Sequence, residues 1–249
     1  MAILAIGDLH LSGSGEKPMN VFGPQWERHF DTIRECWKAA VKPSDIVLIP
    51  GDLSWAMQFE QAKPDLLSIA ELPGTKILLR GNHDYWWSSI SRLRAFLPEG
   101  TLALQNDAVS LGGFAICGTR GWTFPADQNG LDEQELKIYR RELIRLEMAL
   151  ENARRFDLPI IAMLHFPPLL TDYRDTEFTA LLERYGVQLC VYGHLHASGI
   201  RYGFDGLHRG VTYRLVSCDA IRFSPVVVWE QDAPSPVRPG DTQAGPQTE

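Results

Sequence analysis

Long hydrophobic runs, paired cysteines and an excess of positive charge are all missing from this chain, and each absence narrows what it can be. No stretch approaches the roughly 20 apolar residues of a membrane span, so no membrane partner is expected. The opening run, residues 2–6, is too short for a signal h-region, has no basic residue before it and leads straight to Asp8. The four cysteines, Cys36, Cys117, Cys190 and Cys218, form no C-x-x-C pair, and three lie within apolar strand-like runs. That is the pattern of buried free thiols in a reducing cytoplasm, the expected location. A formal charge of −7 excludes a broad electrostatic footprint for duplex nucleic acid, which needs clustered Lys and Arg, while leaving small anionic substrates open. The glycine-bearing loop at 12–24 lacks the Gly-Lys-Ser/Thr ending of a nucleotide cradle and reads as a mobile rim. There is no internal repeat.

What the chain has instead is one construction used five times: an apolar run that stops and delivers metal-ligand residues. The runs end in Asp8-Leu9-His10, Gly51-Asp52, Gly81-Asn82-His83-Asp84, His165 and Gly193-His194-Leu195-His196. Five of the seven histidines stand at such ends, which packing alone does not explain. Residues two apart in an extended segment point to the same side, so Asp8 and His10, or His194 and His196, can face one ion. In open α/β sheets the ligand crevice lies beyond the carboxyl ends of the strands, where groups distant in sequence converge.

Between these runs the periodicities alternate. Strands are expected at 2–6, 45–49, 76–79, 160–164 and 187–192, and helices at 25–41, 59–70, 86–97, 131–156 and 177–185. Leu136, Tyr139, Leu143, Leu146 and Leu150 recur at spacings of three and four, the stripe of a helix docked on a sheet. Residues 102–104 and 109–117, broken at Gly112-Gly113, read as antiparallel strands, as do several segments within 202–230. One domain is expected over 1–231, with a disordered tail over 232–249 dominated by Pro, Gly, Gln and Thr. His29 lies on a helix away from any strand end, and His208 sits among glycines in a hairpin; both read as bland. Asp84 has two readings, an N-cap for the following helix or a holder of the His83 ring. Arg120, just past a strand end, either makes a surface ion pair or grips a phosphate bidentately. Trp55, Trp86, Trp87 and Trp122 neighbour the motifs and either anchor the core or stack a base.

As a set, Asp8-x-His10, Gly51-Asp52, Gly81-Asn82-His83-Asp84, His165 and Gly193-His194-x-His196 resemble the calcineurin-like metallophosphoesterase superfamily, and more narrowly a bacterial group of predicted phosphohydrolases of unassigned substrate. The resemblance runs from residue 2 to about 230. It implies an α/β fold, a four-layer α/β/β/α sandwich of two mixed β-sheets. It also implies two divalent metal ions, one held by Asp8, His10, Asp52 and His196, the other by Asp52, Asn82, His165 and His194, with Asp52 bridging. His83 would stabilise the transition state or protonate the leaving group, with Asp84 as its partner. Asn82 and Arg120 are the candidate substrate contacts. A mixed oxygen and imidazole shell suits Mn, Fe or Zn, and two such ions activate water for in-line attack on a phosphoester.

One departure stands out. Superfamily members that act on phosphoproteins follow their Gly-Asp with Val-Asp-Arg-Gly, whereas Asp52 is followed here by Leu53-Ser54-Trp55-Ala56. The expectation is therefore a phosphodiesterase or phosphomonoesterase for a small or nucleotide-like substrate. The alternatives are a single-strand nuclease and a non-catalytic metal-containing scaffold.

Overall fold

The computed structural model describes residues 1–12, 19–124 and 132–231. The tail expected to be disordered lies outside them, as do residues 13–18 of the glycine-bearing loop expected to be a mobile rim. Eleven strands and five α-helices follow one another as β1 (Ala2–Ala5), α1 (His29–Ala40), β2 (Ile46–Ile49), α2 (Phe59–Ala70), β3 (Thr75–Leu79), α3 (Ile90–Phe96), β4 (Thr101–Leu104), β5 (Ala108–Leu111), β6 (Phe114–Thr119), α4 (Glu133–Arg154), β7 (Ile160–Leu164), α5 (Glu177–Arg184), β8 (Val187–Tyr192), β9 (Gly206–His208), β10 (Val211–Leu215) and β11 (Val226–Glu230). Short 3-10 turns occupy Met19–Phe22, Pro24–Trp26 and Ala197–Tyr202.

The strands form two sheets, ordered β11-β1-β2-β3-β4 and β5-β6-β7-β8-β10-β9. Strands β1 to β4 are parallel with β11 antiparallel at the edge, and β6, β7, β8 and β10 are parallel with β5 and β9 antiparallel. Because successive side chains alternate in face, each strand serves two cores. In β1, Ile3 and Ala5 join Ile46, Leu48, Ile116, Ile161 and Met163 between the sheets, while Ala2 and Leu4 join Ile33, Trp37 and Leu66 of the flanking helices. Residues Ala115, Cys117, Ala162 and Cys190 face α4 and α5. Three apolar layers separate four layers of structure, the expected α/β/β/α sandwich.

Three expectations change. Residues 102–104 do not pair with the next strand: β4 lies parallel to β3, and the antiparallel pair is the hairpin β5–β6, turned at Gly112 and Gly113 with φ of 60° and 82°. Two consecutive residues at positive φ define the tight turn that matches strand twist. Likewise β10 runs parallel to β8, although it follows the antiparallel β9. Alternation reports that a segment is a strand, not which neighbour it meets. Helix α1 starts at His29 and not at 25, because Pro24–Trp26 forms a separate turn and Arg28 is left-handed at φ 50°.

The helix ends are secured chemically. Asp132 accepts from Glu135 N at 2.8 Å while the Glu135 side chain returns to Asp132 N at 3.2 Å, a reciprocal cap that starts α4. At the other polarity, the buried Lys76 of β3 donates to the carbonyls of Ala70, Leu72 and Gly74 at 2.8, 2.7 and 2.8 Å, placing a cation at the negative end of α2. Lys76→Ala would leave those carbonyls short of donors. A loss of about 3 kcal/mol in urea unfolding is expected, with the metal-binding stoichiometry unchanged.

Candidate metal centre

All five ligand-bearing segments leave the C-terminal ends of parallel strands. Register sets those ends level: Ala5 lies opposite Leu48, Ile49 opposite Leu78, and Met163 opposite Val191. Beyond them the backbone turns through strained conformations. Asp8, His10, Asp52 and His194 all have positive φ, at 58°, 46°, 52° and 74°. Non-glycine residues there cost of order 1–3 kcal/mol each, and persist where surrounding structure imposes them.

Seven predicted ligand residues come together across the two sheets. His10 Nε2 lies 3.3 Å from His196 Nε2 and 3.7 Å from Asp52 Oδ2, and His196 Nε2 lies 3.6 Å from Asp8 Oδ1. His165 Nε2 is 3.5 Å from Asp52 Oδ2 and 2.6 Å from Asn82 Oδ1, and that amide oxygen is 3.0 Å from His194 Nδ1. Asp52 Oδ2 thus stands between His10 and His165. Two groups have the spacing of a metal site, Asp8 with His10 and His196, and Asp8 with Asp52 and His165. Asp8 belongs to both, a sharing the sequence reading gave to Asp52 alone.

The donor chemistry fits cations. His165 Nδ1 is 3.0 Å from the Pro50 carbonyl and His196 Nδ1 is 2.8 Å from Asp219 Oδ1. Those contacts assign the ring N–H to Nδ1 and turn the Nε2 lone pairs inward. His165 Nε2 then meets the Asn82 oxygen acceptor to acceptor, an approach that a cation between them resolves. Space is made by glycine: a Cβ on Gly81 or Gly193 would fall within the carboxylate of Asp52 or Asp8 respectively. The residues therefore fit divalent cations.

The protein's own charges are unbalanced in the same sense. Burial would raise Asp8, but the hydrogen bond and charge of His196, with the charges of His165 and His10, hold it well below the usual carboxylate range. Burial and then the Asp8 charge push Asp52 up to about 8. Burial lowers His10 and His165, and takes His194 down to about 3. Burial also opposes the charge on His196, yet Asp219 and Asp8 lift it to about 10. The repulsion between two carboxylates in one pocket is what positive charge relieves.

Asp84 corrects both of its sequence readings. Its carboxylate accepts from the backbone N–H groups of Asp52, Leu53, Ser54 and Gly81 at 2.9, 2.9, 3.2 and 2.7 Å, and from Trp86 Nε1 at 3.1 Å. None of those donors is the His83 ring, and the cap of α3 is Ser89, which accepts from Arg92 N. Five donors fill the oxygens of a fully buried carboxylate, so Asp84 ties the Asp52 loop to the Asn82 loop. Burial and the Asp52 charge still raise it to about 7.

His83 stands at the rim. Its backbone N–H donates to Asp52 Oδ1 at 2.8 Å, and its ring packs 4.4 Å from Trp55, which in turn stacks on His10 at 4.8 Å. Trp86 and Trp87 are buried anchors, the latter bonded to Gln105 at 2.8 Å, which removes them as stacking faces. Arg120 lies over Trp122 at 4.6 Å and 3.8 Å from Glu142. Its carbonyl accepts from His165 N and Phe166 N at 3.0 Å each, fixing it beside the ligand set. His29, read as remote from the strand ends, instead meets the carbonyl of Leu9, between Asp8 and His10, at 2.9 Å and that of Trp26 at 3.1 Å.

Sequence reasoning missed Asp219. It bonds His196 and also accepts from Ala197 N at 2.9 Å, fixing ring and loop together. Its signal was faint: one more carboxylate after an apolar strand, behind Ser217 and Cys218.

Imidazoles and carboxylates gathered over two packed sheets mark a metal-dependent hydrolase, and comparison with known proteins makes the class specific. Residues 1–198 match the model for calcineurin-like phosphoesterases, and the chain belongs to that family. An uncharacterized metallophosphoesterase of Helicobacter pylori (strain ATCC 700392 / 26695) is 30% identical over 162 residues, covering 64% of this chain and 38% of that protein's length. The fold is similar to that of a protein of unknown function from Aquifex aeolicus, with a TM-score of 0.50 at 18% identity over 90% of this chain and 94% of that one.

Two outcomes follow from the geometry. Asp219→Ala frees the His196 ring, so metal affinity measured by calorimetric titration should fall about 10–100-fold. Gly81→Ala drives a methyl into the Asp52 carboxylate, so the purified variant should carry less metal by elemental analysis; full occupancy would show that the loop relaxes.

Proposed function

We propose that the protein hydrolyses a small phosphoester, a phosphomonoester or phosphodiester, at two divalent cations held between Asp8, His10, Asp52 and His196 on one side and Asp52, Asn82, His165 and His194 on the other. The observation that carries this reading is the inward convergence of Nε2 and carboxylate oxygens from both sheets, with Asp52 Oδ2 3.7 Å from His10 and 3.5 Å from His165. Such a pair, when bound, supplies Lewis acidity toward the phosphoryl oxygens and a water acidic enough for in-line attack at neutral pH. Mn, Fe and Zn suit the mixed oxygen and imidazole shell.

The chain's own residues do the rest. Asp8 and Asp52 supply the anionic oxygens, and Asp84 keeps the two central loops in register. Asn82 orients the reacting group through its side-chain amide. His83, held by Asp52 and Trp55 at the open edge, gives its proton to the leaving oxygen. Arg120 holds the substrate from the flank. The absence of an arginine after Asp52 favours small substrates over phosphoproteins, and the net charge of −7 disfavours duplex nucleic acid. Four free cysteines fit a reducing compartment such as the cytoplasm, and among the described residues no helix is long and apolar enough to cross a membrane.

The test is a matrix of metals against aryl phosphate monoesters and diesters, with a single-stranded oligonucleotide at low salt as the nuclease arm. Hydrolysis of the small esters is expected; no turnover with any metal would leave the scaffold reading. Within that assay His83→Ala should keep both metals yet lose about 10²–10⁴-fold in turnover. Lost metal in that variant would mean that His83 is a ligand and not the proton donor.

A further inference from the structure

A row of rings leads outward from the metal centre. His10 stacks on Trp55 with centroids 4.8 Å apart and planes within 19°, Trp55 packs on His83 at 4.4 Å, and His83 meets Tyr85 at 6.1 Å. His10 and His83 are themselves 5.8 Å apart, so the inner end of the row rests on a candidate ligand. Exposure rises along it: His10 is 3% exposed, Trp55 and His83 are half-buried, and Tyr85 is 50% exposed.

Single exposed rings are ordinary on protein surfaces. Tyr85 differs in being carried by anchored backbone at the edge of the site. Its N–H donates to the His83 carbonyl at 2.8 Å, closing a tight turn between the two residues. Before it stands Asp84, whose carboxylate is filled by five donors, and after it stand Trp86 and Trp87, each 1% exposed. A ligand packing on this ring would order little that is not ordered already. A second row, from the other sheet, ends differently. His194 meets Phe166 at 4.2 Å and Phe166 meets Trp122 at 5.3 Å, but Phe166 is buried and the Arg120 guanidinium lies over Trp122 at 4.6 Å. Of the two rows, that of Tyr85 ends in a ring open to solvent.

The His83 and Tyr85 planes stand at 76°, the two walls of a corner. A planar ring laid on the face of Tyr85 turns its edge to His83, an arrangement that aromatic pairs favour. An oxygen bonded to such a ring lies in the ring plane, so the edge that meets His83 can carry the leaving oxygen. We propose that Tyr85 sets substrate preference, as the face on which a planar aromatic ring of the leaving group stacks. Phosphoesters of an aromatic alcohol or of a nucleoside are then preferred over those of an aliphatic alcohol. This rests on the phosphoesterase reading, with His83 beside the leaving oxygen.

The experiment measures binding and needs no turnover. Metal-loaded protein is titrated calorimetrically with ethylphosphonate, (cyclohexylmethyl)phosphonate, benzylphosphonate and the phosphonate analogue of adenosine 5′-phosphate, all with a P–C bond that resists hydrolysis, and metal content is checked afterwards. Wild-type protein should bind one of the two planar-ring probes about tenfold more tightly than ethylphosphonate, benzyl identifying an aromatic alcohol and adenosine a nucleoside. The cyclohexyl probe, of similar apolar bulk but not planar, should gain less than about threefold. Tyr85→Ala and Tyr85→Leu should each erase most of the planar-ring gain while moving ethylphosphonate by less than about threefold, and Tyr85→Phe, which restores the ring, should keep it. Should Tyr85→Ala fail to fold, Tyr85→Leu is read on the same scale. No gain for either planar ring, an equal gain for cyclohexyl, or a gain that survives Tyr85→Leu overturns the stacking face. Failure to hydrolyse any ester would sink the phosphoesterase reading without moving these ratios, and hydrolysis with flat ratios would sink the stacking face alone.

Discussion

The buried carboxylate of Asp84 is the point on which the centre depends. Two loops that are remote in sequence, one carrying Asp52 and the other Asn82, have backbone N–H groups that the strands no longer satisfy. Asp84 accepts from both loops, and from the indole of Trp86, so the loops are fastened to each other before any ligand is considered. An anion buried in this way is stable only because its donors are so many. Its cost is visible in its raised pKa, which burial and Asp52 cause together. Cations beside Asp52 would offset that repulsion, so the brace and any bound cation would support each other.

Around the brace, strain is concentrated where the chemistry is. Four ligand residues adopt left-handed backbone, and two glycines leave room for carboxylates that a methyl would displace. The regular parts of the fold absorb this. Parallel strands with level ends, largely apolar, and helices capped at Asp132 and by Lys76 supply the rigidity that unusual loops lack.

Much of this was legible in the residues. Five apolar runs ending in Asp, Asn and His pointed to parallel strands converging on one pocket, because packing has no use for those groups at those places. The four layers came from the family resemblance, and the alternation within strands such as β1 shows why they exist. Pairing was not legible: β4 and β10 carry strand periodicity, but what lies beside them is decided by the whole sheet. Nor were roles played through another residue. Asp84 looked like a cap because it precedes a helical pattern, while three of its five donors come from a loop thirty residues earlier. Asp219 acts through the His196 ring and the Ala197 backbone. Side chains that contact a ligand leave a local signature, and those that hold other side chains leave one only in three dimensions.

The ligand set is drawn from both sheets, Asp8, His10, Asp52 and Asn82 from one and His165, His194 and His196 from the other. Elsewhere the sheets meet through an apolar layer that includes the Phe114–Trp229 ring contact, and through the backbone bonds of Gly7 to the Val216 carbonyl and the Cys218 N–H. Cations seated at the shared edge would act as a clasp between the two β-layers, so occupancy and the mutual alignment of the halves become one equilibrium. Catalytic geometry and mechanical cohesion would then be gained, or forfeited, together.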